Sequence, residues 1–456
     1  MATLGLASTL TIAQAPTRSP TRPASTVPRQ SLASAPAVGA LPPVTDTGTT
    51  VFEVGGVRVI LRVNTANDVI AANLYLLGGV RLTTDATAGI EPFLLLASEQ
   101  GTTKYPKDKL RKLMARLGTE IAVDAEQDWT MVGVRATRAT LDSTWAVFSD
   151  RLIAPALDSA EVERVRTQLV SAVKQRRDDP DALVHFMADS IAFEGHPYER
   201  SETGTERSIA RITRAQLAAF QKLQMVTSRM VLVVVGNVPR GQVERLVRTT
   251  LAALPHGEYA WTLPDTLPTA KPAVAIEGRT LPTNYLLGYV AGPPPTSKDY
   301  EALRLAATVL SGQLDSELRQ RRNLTYAVNA PFREGGVSSA GLYITTVSPN
   351  VALDVMRREI QILQRETLSI EALAQLTQQF LVRYYLNNET NAEQANQLAR
   401  GLLYHGDWHY ADRFMAELRR VSPADVQRVA RLYFKNVRFA YVGDPGRLSR
   451  AAVQRF

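Results

Sequence analysis

Apolar and polar residues alternate from Val51 onward, and the period of the alternation changes several times along the chain. VFEV and VRVILRV, joined by Gly55-Gly56, carry apolar side chains at alternating positions, which predicts a β-hairpin. Residues 70–77 read as a further strand ending in Gly78-Gly79. The spacing then becomes helical: an apolar helix opens near Pro92, and Lys107–Leu117 is a basic amphipathic helix. Strands at 120–123 and 130–136 lead into helices at Leu141–Ile153 and 159–177, the second stopped by Asp178-Asp179-Pro180. A helix at 208–220 and a strand at 230–235, ending at Gly236, follow.

After a proline-rich stretch at 254–271 the pattern starts again. Residues 272–277 and 285–291 predict strands, 300–310 a helix, 326–329 and 342–347 strands, and 351–363 a helix. The helix at 370–386 matches the one at 160–177, and VRFAYVGD (437–444) matches MVLVVVGN (230–237). Helices at 208–220 and 421–434 stand at equal remove before those two strands. Such order-by-order recurrence is an internal duplication of roughly two hundred residues, hence two similar domains. The expected boundaries are 49–256, a linker at 257–271, and 272–456. Each half mixes mostly antiparallel strands with helices gathered on one side, the α+β class.

Composition narrows the function classes. With 456 residues, 45% hydrophobic and 21% charged, the chain can bury more than one core. The net charge of +8 is spread along the sequence, without a polybasic block interleaved with aromatics, so no nucleic-acid partner is expected. There is no cysteine, which removes disulfides and thiol nucleophiles. No apolar run reaches the length of a membrane span, so an integral membrane protein is not expected. Residues 1–15, an apolar run followed by Ala13-Gln14-Ala15, look like the remnant of a signal peptide, and 16–48, rich in Pro, Ser and Thr, read as a disordered leader. A periplasmic or secreted location is the expectation that follows.

Two stretches carry candidate chemistry. In LDSELRQRRNLTY (314–326), Leu314 and Leu318 share one helical face and Asn323 breaks the helix. Arg319 and Tyr326, seven positions apart, are thereby delivered to a helix–turn–strand corner. In AGIEPFLLLASEQGTTKYP (88–106), an apolar helix with Pro near its start is followed by a Gly-Thr turn. Both stretches resemble the pitrilysin/insulinase zinc metallopeptidases, the first through L-x-x-E-L-R-x-x-x-x-L-x-Y, the second through the frame around G-x-x-H-F-L-E-H-x-x-x-x-G-T. The resemblance covers about residues 50–456 and implies two homologous α/β-roll domains per subunit. In the family, two His at i and i+4 face one zinc, and a Glu between them takes the proton of the bound water.

At those ligand and base positions this sequence has Pro92, Leu95 and Leu96, and the place of the third ligand, near 171–173, lacks a carboxylate. None of these can hold zinc or move a proton, so no metal or other cofactor is expected on this chain. Glu91 and Glu99 lie nearby, but two carboxylates without histidine make a poor zinc site. The resemblance further implies that Arg319 and Tyr326 bind a substrate carbonyl and the developing oxyanion in trans. The partner would be a homologous H-x-x-E-H subunit that carries the zinc, and the substrate a peptide or unfolded polypeptide. The competing expectation is a non-catalytic scaffold or peptide-binding subunit of the same fold.

The remaining histidines read as structural. His405 and His409 flank Asp407 in a glycine-containing helix end, which reads as a surface turn rather than a metal site. His196 in GHPY reads as a turn residue and His185 as a partly buried packing residue. No G-x-S-x-G and no glycine-rich phosphate loop occurs.

Overall fold

Two six-stranded sheets, one from each half of the sequence, organise the molecule. They are seen in a computed structural model that describes residues 48–267 and 270–456. The signal-peptide remnant and almost all of the leader expected at 1–48 lie outside the described residues.

In the first half β1 (Thr49–Val54) and β2 (Val57–Val63) form the hairpin that the alternation predicts. Gly55 and Gly56 make its turn at φ 56° and 82°, the doubly left-handed geometry that favours glycine. β3 (Val69–Leu77), β4 (Glu120–Ala125), β5 (Trp129–Thr137) and β6 (Met230–Gly236) complete the sheet in the order β1-β2-β6-β3-β5-β4. Every residue of β6 is buried, as its unbroken apolar run requires of a central strand. The helices of this half are α1 (Ile90–Ser98), α2 (Lys107–Leu117), α3 (Leu141–Ile153), α4 (Ser159–Asp178), α5 (Pro180–Ala192), α6 (Glu206–Arg211), α7 (Arg214–Gln224) and α8 (Arg240–Arg248).

The second half repeats the plan with β7 (Ala273–Gly278), β8 (Asn284–Ala291), β9 (Val328–Asn329), β10 (Phe332–Arg333), β11 (Ser339–Thr346) and β12 (Arg438–Gly443). Its order is β10-β11-β8-β12-β7, with β9 also on β11. β6 is parallel to β2 and antiparallel to β3, and β12 is likewise parallel to β7 and antiparallel to β8. The duplication read from MVLVVVGN and VRFAYVGD is therefore a repeat of sheet topology about the same central strand. The helices here are α9 (Asp299–Leu314), α10 (Pro349–Arg365), α11 (Ile370–Asn387), α12 (Asn391–His405), α13 (Tyr410–Arg419), α14 (Pro423–Tyr433) and α15 (Arg450–Val453).

One face of each sheet is covered by helices of its own half. α3 and α8 bury Trp145, Phe148 and Val247 against the first sheet, while α9, α10 and α14 bury Leu303, Met356 and Val429 in the core of the second half. The opposite faces are covered by exchange. α5, from the first half, packs Leu183, Val184 and Ala188 onto Leu287, Tyr289, Ala440 and Val442 of the second sheet. α12, from the second half, packs Ala395, Leu398 and Ala399 onto Tyr75, Trp129, Val231 and Val233 of the first. Polar pairs fix this crossing: Asn396 Oδ1 accepts from Tyr75 Oη at 2.6 Å and from Asn73 Nδ2 at 2.8 Å. Helices therefore lie on both faces, not one side only, because each sheet has a second apolar face to bury.

Other expectations are corrected in detail. The helix read at 208–220 is two, broken at Ile212-Thr213, and α6 and α7 each start with a capping box, Thr205/Ser208 and Thr213/Gln216. The strand read at 326–329 shrinks to Val328–Asn329. His185 is exposed on α5, not partly buried, with its ring 5.7 Å from that of Tyr343. Within the stretch read as a linker, Trp261 donates to the Leu403 carbonyl at 2.9 Å, and the Arg81 guanidinium lies 4.7 Å over its ring.

Candidate functional site

The first candidate stretch folds as α1, starting after Gly89 at φ 83°. A Cβ at Gly89 would meet the Thr203–Gly204 backbone at 2.8 Å, so glycine is what lets α1 start against that turn. Pro92 stands in the first turn, where a backbone N–H would have no intrahelical acceptor. Leu95 is buried in the core of the first sheet, and half-buried Leu96 packs with Val162, Val165 and Leu169 of α4. The three positions offer carbon only.

The two neighbouring carboxylates are already engaged. Glu91 is 4% exposed and accepts from Arg229 Nη2 at 2.8 Å and from Thr130 Oγ1 at 2.7 Å. Arg229 is 1% exposed and spends its other N–H groups on the carbonyls of Leu77 (2.6 Å) and Gln224 (2.7 Å). Glu99 pairs with Arg151 at 2.9 Å. Among the described residues no three His, Cys, Asp or Glu side chains converge as a metal would require. The side chains around α1 do not fit zinc: apolar packing and a closed ion pair fill that space.

The second stretch prolongs α9. After Leu314 the helix widens into a π-helical segment, Asp315–Arg321, an irregularity that frequently marks functional sites. Buried Leu318 anchors it, and Leu324 N–H returns to the Leu318 carbonyl at 2.8 Å, past Asn323 at φ 51°. The loop beyond is firmly tied. Thr325 Oγ1 bonds both the N–H (2.9 Å) and the carbonyl (2.8 Å) of Ala327, Thr346 Oγ1 donates to the Leu324 carbonyl at 2.9 Å, and Thr345 N–H to the Ala327 carbonyl at 3.0 Å.

On this braced loop Tyr326 is 90% exposed, and no hydrogen bond to its hydroxyl is found among the described residues. Arg319 is exposed too, 3.4 Å from Asp315. An exposed i,i+4 pair of that length holds the guanidinium only weakly, by a few tenths of a kcal/mol. No hydrogen bond or ring contact joins Arg319 to Tyr326, and both are exposed to solvent. Arg321 and Arg322, read as solvated, are exposed and reach Glu317. His405 is half-buried rather than part of a surface turn, with its ring stacked on Tyr410 at 3.4 Å. Burial pushes its imidazole down to about 4, so it is neutral at pH 7. His196 caps the turn at Pro197–Glu199, in agreement with its reading.

Sequence reasoning missed two sets of buried polar contacts, one of charges within the second half and one around Asp128 that joins the halves. Glu334 accepts from Arg400 at 2.7 Å and from Arg304, and Arg304 also pairs with Glu301 at 2.7 Å. Burial alone would raise the Glu334 carboxyl, but Arg304 and Arg400 outweigh it and hold it down to about 2. Nearby, buried Asp128 accepts from Tyr404 Oη and Gly336 N–H, each at 3.0 Å, and from Tyr198 Oη. The only local signal for these groups is charge inside apolar helices, as at Arg304 and Arg400. Glu301 and Arg304 stand three apart on α9 and could be paired by spacing, but Glu334 and Asp128 are far in sequence from their partners, so no spacing rule could place them.

Comparison with known proteins fits this geometry. The family model described as Insulinase (Peptidase family M16) matches residues 58–206, and that of the Peptidase M16 inactive domain matches residues 211–380. An uncharacterised zinc protease of Streptomyces coelicolor is 22% identical over 401 residues, 83% of this chain and 85% of that protein. Subunit 1 of the mitochondrial cytochrome b-c1 complex of Caenorhabditis elegans is 23% identical over 412 residues, 85% of this chain and 86% of that one. The crystal structure of a peptidase M16 inactive domain from Pseudomonas fluorescens superposes with a TM-score of 0.80 at 18% identity, over 87% of this chain and 98% of its own.

Proposed function

Because the chain belongs to the insulinase (M16) peptidase family, we propose that it is the subunit without zinc in a heteromeric peptidase. It completes, in trans, the active site of a homologue that carries H-x-x-E-H. That partner supplies the zinc and, with it, the activation of water for attack on a peptide carbonyl. Tyr326 donates its hydroxyl hydrogen to the oxygen on which negative charge develops, and Arg319 orients a neighbouring carbonyl of the substrate. The substrate is a peptide or an unfolded segment, and the setting an extracytoplasmic one.

The observation that carries the reading is the state of Tyr326. Its loop is braced by four hydrogen bonds, while its own phenol is 90% exposed and unpartnered. A firmly placed donor whose hydrogen has no acceptor among the described residues is what a site completed by another subunit needs. Hydrolysis of a quenched fluorescent peptide by an H-x-x-E-H homologue from the same genome, with and without this chain, tests it. The rate should rise and saturate at equal stoichiometry, and Tyr326→Phe should lower kcat about a hundredfold, the effect of losing one oxyanion donor. An unchanged rate with Tyr326→Phe refutes the trans site.

A second reading is favoured by the likeness to a protein named as a subunit of the cytochrome b-c1 complex. On that reading the chain is a scaffold, and a stable complex with the homologue shows no gain in hydrolysis.

A further inference from the structure

A cleft of about 780 Å³ opens where α4, α5 and α6 meet β7, away from the Arg319–Tyr326 corner. Its floor is apolar: Val173 of α4 and Leu183, Phe186 and Met187 of α5. Its rim is cationic. Arg207 and Arg211 stand one helical turn apart on α6, and Arg177 stands on the other wall at the end of α4. All three are exposed, and among the described residues none of their guanidinium groups has a hydrogen-bond or ion-pair partner. The cleft carries two carboxylates, each loosely paired, Glu206 with Lys174 at 3.4 Å and Glu277 with Arg279 at 3.7 Å, against four arginines. Arg176 is committed as well, to Thr203 (2.8 Å), the Gly204 carbonyl (2.9 Å) and the face of Phe186 (4.9 Å). The rim therefore keeps an excess of positive charge, with three arginines unpaired among the described residues, around an apolar floor.

We propose that this cleft binds an acidic peptide segment bearing a large apolar side chain between carboxylates. The apolar side chain fills the floor, and the flanking Asp or Glu residues pair with the arginines, for which bidentate carboxylate binding is the natural geometry. The volume lies within the range of ligand sites. Three separated cations call for more carboxylates than a single-headed fatty acid carries. The chain's own leader is a poor occupant, since residues 1–47 hold Arg18, Arg22 and Arg29 against one carboxylate, Asp46. A second copy, at net charge +8, is no better matched. The site stands apart from the proposed trans role, and its test needs this chain alone.

Fluorescence anisotropy with labelled Glu-Asp-Phe-Leu-Asp-Glu is the first measurement, made on the full chain. Binding should weaken with added salt. It should fall at least about tenfold for Lys-Arg-Phe-Leu-Arg-Lys and for Glu-Asp-Ser-Gly-Asp-Glu. Arg207→Glu/Arg211→Glu should abolish it. Ala210→Trp should block it as well, because exposed Ala210 lines the cleft and the indole occupies it while every charge of the rim is kept. Both variants should keep the wild-type circular dichroism spectrum. Equal binding of the basic peptide, full binding by Ala210→Trp, or displacement of the peptide by dodecanoate at lower concentration than by unlabelled peptide would each overturn the proposal.

Discussion

Replacing Glu91 by Gln should destabilise the protein about as much as any single change in α1. Glu91 and Arg229 are both buried, at 4% and 1% exposure, and meet at 2.8 Å. Gln keeps the shape, and its amide oxygen can still accept from the guanidinium while its NH2 faces Thr130, but it removes the negative charge that neutralises buried Arg229 and leaves that cation with dipoles alone as compensation. Breaking such a pair from one side costs roughly 3–5 kcal/mol, against a total stability of about 5–15 kcal/mol. Arg229→Met should cost a similar amount, because it strands the carboxylate. The double variant Glu91→Gln/Arg229→Met removes both charges and should be less destabilised than the sum of the two by at least about 2 kcal/mol. Urea unfolding followed by fluorescence and by circular dichroism measures all four corners of the cycle, and coincidence of the two probes checks that one transition is being read. A coupling below about 1 kcal/mol would refute the structural role given to the pair. The opposite assignment, Glu91 as a metal ligand, makes a different forecast: zinc would raise the melting temperature of the wild type and not that of Glu91→Gln. No shift is expected for either.

Three further outcomes follow from the packing and the charges. Leu398→Ala on the exchanged helix α12, where the leucine is fully buried against the first sheet, should cost about 2–5 kcal/mol in urea unfolding, whereas a loosely docked helix would show under about 1 kcal/mol. Glu334→Gln should destabilise at pH 7, and the gap to wild type should close as pH falls below about 4.5. The folded carboxyl sits at about 2, so its stabilisation is present above the unfolded value and is lost on acidification, with about 3 kcal/mol as the ceiling. A gap that stays constant down to pH 3 would contradict this. For His405 the folded value, about 4, lies below the unfolded one, so the unfolded chain takes the proton first between pH 6.5 and 4 and stability drains as pH falls. His405→Phe, read by melting temperature against pH, should flatten that slope.

Much of the fold is legible in the sequence because its elements are strongly periodic. The bounds of α2 and α3 follow from apolar spacing, and the paired central strands β6 and β12 announce the duplication. What is not legible is long-range. α5 and α12 look like ordinary amphipathic helices, and nothing in PDALVHFMADSIA says that its apolar face belongs to the other half's sheet. Only the second apolar face of each sheet demands such a cover. The break at Ile212-Thr213 was readable, since T-R-A-Q is an N-terminal capping signal, but the apolar spacing runs through it and masks it. That Pro92, Leu95 and Leu96 offer no metal ligand needs only the identities of those residues. That Glu91 closes on Arg229, by contrast, needs the fold, because 138 residues separate them.

The two candidate stretches also differ in what holds their residues in place, and this makes function separable from stability. At α1 the motif positions are occupied by side chains with a packing role: burying a leucine contributes roughly 2 kcal/mol, so Leu95 supports the frame with no metal present. Tyr326 has no such role. With 90% exposure and no hydrogen-bond partner among the described residues, Tyr326→Phe or Tyr326→Ser should move the unfolding free energy by no more than about 0.5 kcal/mol. Arg319→Gln should do the same, since its exposed contact with Asp315 is worth a few tenths of a kcal/mol at most. If either variant instead unfolds the chain by more than about 1.5 kcal/mol, the residue is part of the frame, and any lost hydrolysis by the complex would say nothing about an oxyanion. If both fold as wild type, a fall in kcat at constant complex affinity isolates the chemistry of the corner from its architecture.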